Sequence, residues 1–159
     1  VNFEISIEGD NLAAVKLGQY AARAAGVLEA AAHLIQEDFH ALEARRFGDE
    51  GPGWAPLSPT TIAIKTRKRS PQPDSILYDT GKLLFSLTGN NEGSVFQVSA
   101  DEIVMGTSVK YAQYHQTGPR QIRVFGRGSA TLPQRKVVDI TEEDAARWAA
   151  ILHATLWAV

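Results

Sequence analysis

Leu77-Tyr78-Asp79-Thr80-Gly81-Lys82-Leu83-Leu84-Phe85-Ser86, then Val104-Met105-Gly106-Thr107, then Tyr111-Ala112-Gln113-Tyr114-His115-Gln116-Thr117-Gly118: across these stretches the hydrophobic period switches from helical to alternating and back. In the first stretch, Asp79 and Thr80 carry the short side-chain oxygens that cap helices. Leu83, Leu84 and Leu87 come next as an apolar helical face, and Gly89-Asn90-Asn91 stops it. Gly81, with no Cβ, allows another segment to approach closely. Residues 95–98 and 103–105 read as strands joined by a tight polar turn at Ala100-Asp101, a hairpin. Residues 111–116 read as a helical turn, 121–125 as an edge strand, and Gly126-Arg127-Gly128-Ser129 as a flexible tip.

Outward from this centre, residues 2–8 alternate. Phe3, Ile5 and Ile7 face one way and Asn2, Glu4, Ser6 and Glu8 the other, the two-residue period of a half-buried strand. Gly9 and Asp10 end it, and Asp10 or Asn11 can cap the next element, a helix. From 12 to about 46 the period is helical. Leu17, Tyr20, Ala24, Val27, Leu28, Ala31, Ile35 and Leu42 form the apolar stripe. Lys16, Gln19, Arg23, Glu29, His33, Gln36, Glu37, His40 and Glu43 form the polar face. Such a helix is about 50 Å long, so it is expected to protrude or bend, with Gly18 and Gly26 as its weak points. Its many alanines permit close approach by another element.

Residues 47–57 form a Gly/Pro-rich loop carrying Trp54. Ser58-Pro59 reads as an N-cap with proline at the first helical position, opening a short helix to about Lys68. The prolines at 71 and 73 prevent its continuation. Residues 65–75 are thus expected to be an exposed, basic, mobile loop that orders on assembly. Thr141 and Asp144 resemble a capping box opening a last helix with the face Ala145, Trp148, Ala149, Leu152 and Leu156. The expected fold is α+β: one long N-terminal helix and a C-terminal helix packed on a small antiparallel β-sheet, with long loops, in a single domain over 1–159.

Composition narrows the chemistry. The chain has 159 residues, no cysteine and a formal net charge of −2. Disulfides, thiolate metal sites and cysteine nucleophiles are excluded. A net acidic balance argues against a dedicated nucleic-acid binder. No apolar run approaches the roughly 20 residues that span a bilayer, and the first residues lack the pattern of a signal peptide. Charge is nevertheless uneven. Lys65, Arg67, Lys68 and Arg69 form one basic cluster, and Arg120, Arg123, Arg127, Arg135 and Lys136 a looser one.

No catalytic motif emerges. G-x-S-x-G and the phosphate-binding G-x-x-x-x-G-K-[ST] are both absent, and no cofactor is implied. His33, Glu37 and His40 lie three and four residues apart at a spacing that can hold zinc, but they fall on the polar stripe and read as a solvated helix face. His115, between Tyr111, Tyr114 and Gly118, is either a general base or a structural histidine that hydrogen-bonds backbone and stiffens its turn; the second reading is preferred. Trp148 fits the last helix's apolar face. Trp54 and Trp157 read as interface anchors, since Trp54 has little local core to join.

Taken with Trp54-Ala55-Pro56-Leu57-Ser58-Pro59-Thr60 upstream and Leu132-Pro133-Gln134-Arg135 downstream, the opening stretches resemble the phage virion morphogenesis family, the tail-completion proteins of Mu-like tailed bacteriophages. The resemblance covers roughly residues 54–140. It places Trp54, Leu57, Thr80, Gly81, Leu83, Gly106, Tyr111, His115, Gly118, Pro133 and Arg135 in family motifs or an assembly interface. It implies a non-enzymatic virion component acting where tail meets head. The partners implied are other copies of the chain in a ring of about six, other neck and tail proteins, and transiently the genomic DNA, with no membrane partner. The location implied is the virion, after assembly in the host cytoplasm. The alternative is a nucleic-acid-binding module using the basic segments 65–69 and 120–136; an enzyme based on His115 is the remaining rival.

Overall fold

The computed structural model describes residues 11–99, 102–124 and 128–158. The expected strand at 2–8, the turn at Ala100-Asp101 and residues 126–127 of the tip lie outside these residues. The element order is α1 (Asn11–Gly48), α2 (Pro59–Arg67), α3 (Lys82–Thr88), β1 (Ser94–Val98), β2 (Ile103–Thr107), α4 (Ala112–Gln116), β3 (Arg120–Val124), β4 (Gly128–Leu132) and α5 (Glu142–Ala158). The class is α+β as expected, with two separate antiparallel pairs, β1–β2 and β3–β4, where a single small sheet was expected. The β1–β2 hairpin pairs Ser94 with Thr107 and Val98 with Ile103. The edge strand expected at 121–125 is β3, and β4, which begins inside the stretch read as a flexible tip, pairs with it as a second hairpin, Arg120 with Leu132 and Val124 with Gly128.

The helix α1 runs unbroken through Gly18 and Gly26, ~57 Å at 1.5 Å per residue. Its described inward face is Val27, Ala31, Ala32, Ile35, Gln36, Phe39 and Glu43. These recur every three or four residues, as one face of a helix must. This corrects the expected stripe: Gln36 and Glu43 are buried and not on the polar face, and Phe39 is the main apolar contributor. Tertiary partners explain the burial of Gln36, whose Nε2 donates to Asn90 Oδ1 at 2.8 Å. The core gathers Phe39, Leu83, Leu87, Val109, Ala112 and Val137, with Phe47, Leu77, Met105, Val138 and Trp148 packed around it. The face expected for α3 is present, with Leu83 and Leu87 in this core.

The cap expected at Asp79 or Thr80 is not there. The N-cap is Gly81, at φ 83° and without a side-chain cap bond, and Thr80 Oγ1 lies a long 3.4 Å from the Lys82 amide. Only a left-handed residue turns the chain into α3 here, and glycine adopts that conformation without steric cost. Close approach to Gly81 is real, but it comes from the same helix: a Cβ at Gly81 would meet Phe85 Cε2 at 2.5 Å.

At the other end, Thr141 and Asp144 form the expected reciprocal cap. Thr141 Oγ1 accepts from the Asp144 amide at 3.2 Å, and the Thr141 amide donates to Asp144 Oδ2 at 2.9 Å. The Thr141 hydroxyl also donates to Asp144 Oδ2 at 2.7 Å, and this bond with the one from the Thr141 amide holds the Asp144 carboxyl down at about 2. A clasp fixes α5 on α1: Arg147 Nε and Nη2 both donate to Asp38, at 2.8–3.0 Å, and Trp148 Nε1 donates to Asp38 Oδ2 at 2.7 Å. The Arg147 hydrogen bonds pull the Asp38 carboxyl below its usual range. The packed side of α5 is therefore Asp144, Arg147, Trp148, Ile151 and Leu152. Of the expected face, Ala145, Ala149 and Leu156 point to solvent.

On this packing, Gly81→Ala should lower stability by about 1–2 kcal/mol, from left-handed strain and the displaced Phe85 ring, whereas Thr80→Ala should change it by less than about 0.5 kcal/mol; urea unfolding of both variants measures this. Glu43 is fully buried, with its carboxylate 3.4 Å from Arg46 Nε. Burial pushes its pKa up to about 7 from the ordinary 4.5, with Asp144 and Asp139 adding to the rise and Arg46 opposing it. The folded state thus holds the proton more tightly than the unfolded chain. Stability from this group is fully present below about pH 4.5 and is lost as pH rises through about 7, a change of about 3 kcal/mol. Thermal and urea unfolding between about pH 5 and 8 should show that loss in the parent and a much flatter profile in Glu43→Gln.

Candidate functional site

Three of the motif residues, Trp54, His115 and Arg135, meet in a knot of three chain segments. After α1, the chain turns through Glu50 and Gly51, both at positive φ. A Cβ at Gly51 would overlap the indole of Trp54, so only glycine lets that ring fold back. Trp54 is 8 % exposed, stands edge-on to Phe47 at 5.4 Å between centroids and donates from Nε1 to the Lys136 carbonyl at 3.1 Å. It is thus part of the interior of the subunit and not the loop anchor expected, because Phe47 and the 133–138 segment supply the core that its own loop lacks.

Arg135 closes the knot. It is 5 % exposed, and its guanidinium donates to Ala55 O from Nε at 3.0 Å and from Nη2 at 2.7 Å, with Pro56 O at 3.4 Å. It is therefore no part of a basic surface, correcting its place in the 120–136 cluster; burial also lowers its pKa. Its amide donates to the His115 carbonyl at 3.0 Å. Gln116 completes the tie: Oε1 accepts from the Val137 and Val138 amides at 2.8 and 3.0 Å, and Nε2 donates to Val138 O at 2.6 Å. Gln116 was not singled out from the sequence; nothing in the local pattern marks a glutamine that substitutes for a neighbouring strand.

His115 takes part through its carbonyl. Its ring does not stiffen the turn as expected: Nδ1 is buried with no hydrogen-bond partner among the described residues. Burial and the Arg135 charge push its pKa down, so the ring is a neutral, half-buried group. Leu57 and Pro133 are half-buried beside the knot, and Leu83 is core. Tyr111 is 43 % exposed. Gly106 lies in β2 opposite Val95, and Gly118 turns the chain at φ 116°. The structure therefore brings together Trp54, His115 and Arg135, and leaves Thr80, Gly81, Gly106 and Tyr111 at other places on the fold.

The first basic cluster also divides. Lys65 is buried, and its ammonium donates to Ser75 O at 2.7 Å; burial lowers its pKa. The next turn is laced by Ser70 N to Lys65 O at 3.0 Å, Arg69 N to Thr66 O at 2.9 Å and Ser70 Oγ to Asp79 O at 2.8 Å. Residues 65–67 thus close α2, the helix capped, as expected, by Ser58, and 68–75 follow as a hydrogen-bonded turn. Only Arg67, Lys68 and Arg69 present exposed charge. His33 and Glu37 are exposed and His40 half-buried; the His33 ring lies 5.7 Å from Phe96 and the His40 ring 6.1 Å from Phe39. Among the described residues no three His, Asp or Glu side chains are placed to hold a metal ion, and no helix is long and apolar enough to cross a membrane.

The model of the phage virion morphogenesis family matches residues 11–156, from the start of α1 nearly to the end of α5. The chain belongs to the phage virion morphogenesis family. No curated protein and no solved structure matches it significantly. Family membership assigns the chain to the building of a phage particle.

Arg135→Ala should therefore destabilise the subunit by about 2–3 kcal/mol, the cost of losing charge-assisted hydrogen bonds to buried carbonyls. Arg135→Lys should recover only part of it, because a single ammonium cannot reproduce the planar fork. Urea unfolding of the two variants against the parent decides the matter.

Proposed function

We propose that this chain is a non-enzymatic structural protein that completes the tail of a phage or prophage particle at the junction with the head. It acts there as a ring of identical subunits, about six by the symmetry the family resemblance implies. The observation that carries the reading is the family match over nearly the whole chain. Two features support it. The motif residues Trp54 and Arg135 serve the scaffold, with hydrogen bonds to backbone carbonyls. A 38-residue helix and a solvent-exposed hairpin give the small fold more surface than its own core covers.

In this role the ring contacts the neighbouring neck and tail proteins, and the exposed Arg67, Lys68 and Arg69 face either a partner or the passing DNA. The virion is its destination and the host cytoplasm its place of assembly.

Deleting the gene from the phage or prophage should yield separate heads and tails in the electron microscope, rejoined when the gene is supplied in trans. Purified particles should contain the protein. Normal particles from the deletion strain, or particles lacking the protein, would overturn the reading.

A further inference from the structure

The β3–β4 hairpin is an arm. Its strands pair with each other, and every described side chain on it is exposed except the half-buried Leu132. A two-stranded ribbon alone is at best marginally stable in water. Alternation sorts its residues into two faces. Gln121, Arg123, Ser129 and Thr131 form one, with Gln121 Nε2 donating to Thr131 Oγ1 at 2.8 Å. Arg120, Ile122, Ala130 and Leu132 form the other, with Ile122 37 % exposed. Arg120 is held at the base of the arm, its guanidinium 4.5 Å above the Tyr114 ring.

The sequence around the arm is electrically distinct. From Ile103 to Val138 there is no Asp or Glu, while Lys110, Arg120, Arg123, Arg127, Arg135 and Lys136 all lie there. Of the 16 Lys and Arg in the chain six are thus in this segment, leaving ten against all 18 Asp and Glu elsewhere. The packed pair α1–α5 exposes Glu29, Glu37, Glu142 and Glu143. Two of its cations, Arg46 and Arg147, are engaged internally, with Glu43 and with Asp38 and Asp144. The same two helices and the loop before α5 also expose apolar side chains, Leu34 at 50 %, Ile140 at 40 % and Leu156 at 50 %. The arm and this surface therefore match in both respects, cation to carboxylate and aliphatic to aliphatic.

We infer that the β3–β4 arm docks on the acidic α1–α5 surface of a second copy of this chain, with Ile122 and Leu132 in the contact and Arg120, on the same face, toward the carboxylates. The contact rests on the self-assembling role proposed above and names its surfaces. It is heterologous: each copy offers an arm and accepts one, which is the interface type that closes rings.

The test uses the full chain in sedimentation at about 50 and 500 mM salt. The parent should self-associate at low salt and dissociate at high salt. Arg120→Glu should weaken association at least tenfold at low salt without unfolding the chain, and Ile122→Ser should weaken it there as well. Because the charge-reversed variant keeps its acidic surface, it should still accept a parent arm and form a limited complex that does not grow. Unchanged association of the variants, or a variant unable to accept a parent arm, overturns the contact and leaves the tail-completion role standing. A parent that stays monomeric yet shifts duplex DNA with steep salt dependence also overturns it, assigning the arm to phosphate contacts. Failure of the role itself appears in the particle experiment and not in this one.

Discussion

The fold depends on how the segment 133–138 is buried. Val137 is 1 % exposed, and this stretch belongs to no strand or helix, so its amides and carbonyls need partners from elsewhere. Gln116 supplies them, accepting two amides and donating to a carbonyl as a neighbouring strand would. With those groups satisfied, Val137 can close the core over Phe39, Leu83 and Leu87. The same segment then delivers Arg135 to Ala55, the Lys136 carbonyl to Trp54 and the Asp139 carbonyl to Arg46, the last at 2.6 Å. One polar side chain thus sets where the Trp54 loop lies and where α5 begins.

From that starting point α5 is positioned by charge. Asp144 caps its own helix through Thr141 and also accepts from Arg147 at 2.8 Å, and Arg147 grips Asp38 on α1. A forked guanidinium–carboxylate contact is directional as well as attractive, so it fixes the rotation of α5 on α1 in a way that Trp148 packing alone would not. Glu43 lies on the same α1 face and is served less well: neither carboxylate oxygen has a hydrogen-bond partner among the described residues. Holding its proton near neutrality is the available way to lower the cost of burying it.

The features legible in the sequence were those decided within a few residues. The Ser58-Pro59 start, the Thr141–Asp144 box, the β1–β2 alternation and the Gly89 stop are local in cause, and each is where the pattern put it. The illegible features were decided by distant partners. Gln36, Glu43, Lys65 and Arg135 have polar side chains that a helix-face or charge-cluster reading places in solvent; their burial is set by Asn90, Arg46, Ser75 and Ala55. Trp54 lacked a visible core because Phe47 and Lys136 meet it only in three dimensions. The β4 strand was hidden by its own glycine and small residues, whose weak alternation gains meaning only opposite Arg120 to Val124. Gly81 was misread for a different reason: a capping oxygen stood beside it, and the left-handed turn left that oxygen little to do. Ala32, Ile35 and Phe39 did carry a readable helical spacing, and it was the better guide to the α1 core than the stripe through Leu42.

Two sets of cations among the described residues differ in their physics. Arg46, Lys65, Arg135 and Arg147 are bonded to groups of their own subunit, and the first three are largely or wholly shielded from water. Arg67, Lys68, Arg69, Arg120 and Arg123 are exposed. Dissolved ions screen exposed charges over about 8 Å at physiological salt but reach buried pairs poorly. Exposed pairs are each worth at most about 1 kcal/mol and are set by solution conditions. Folding therefore rests on the first set, and the association proposed above would draw on the second. On the proposed docking, salt would loosen contacts made by the second set while the knot of Trp54, Gln116 and Arg135 holds, so association could be reversed without unfolding.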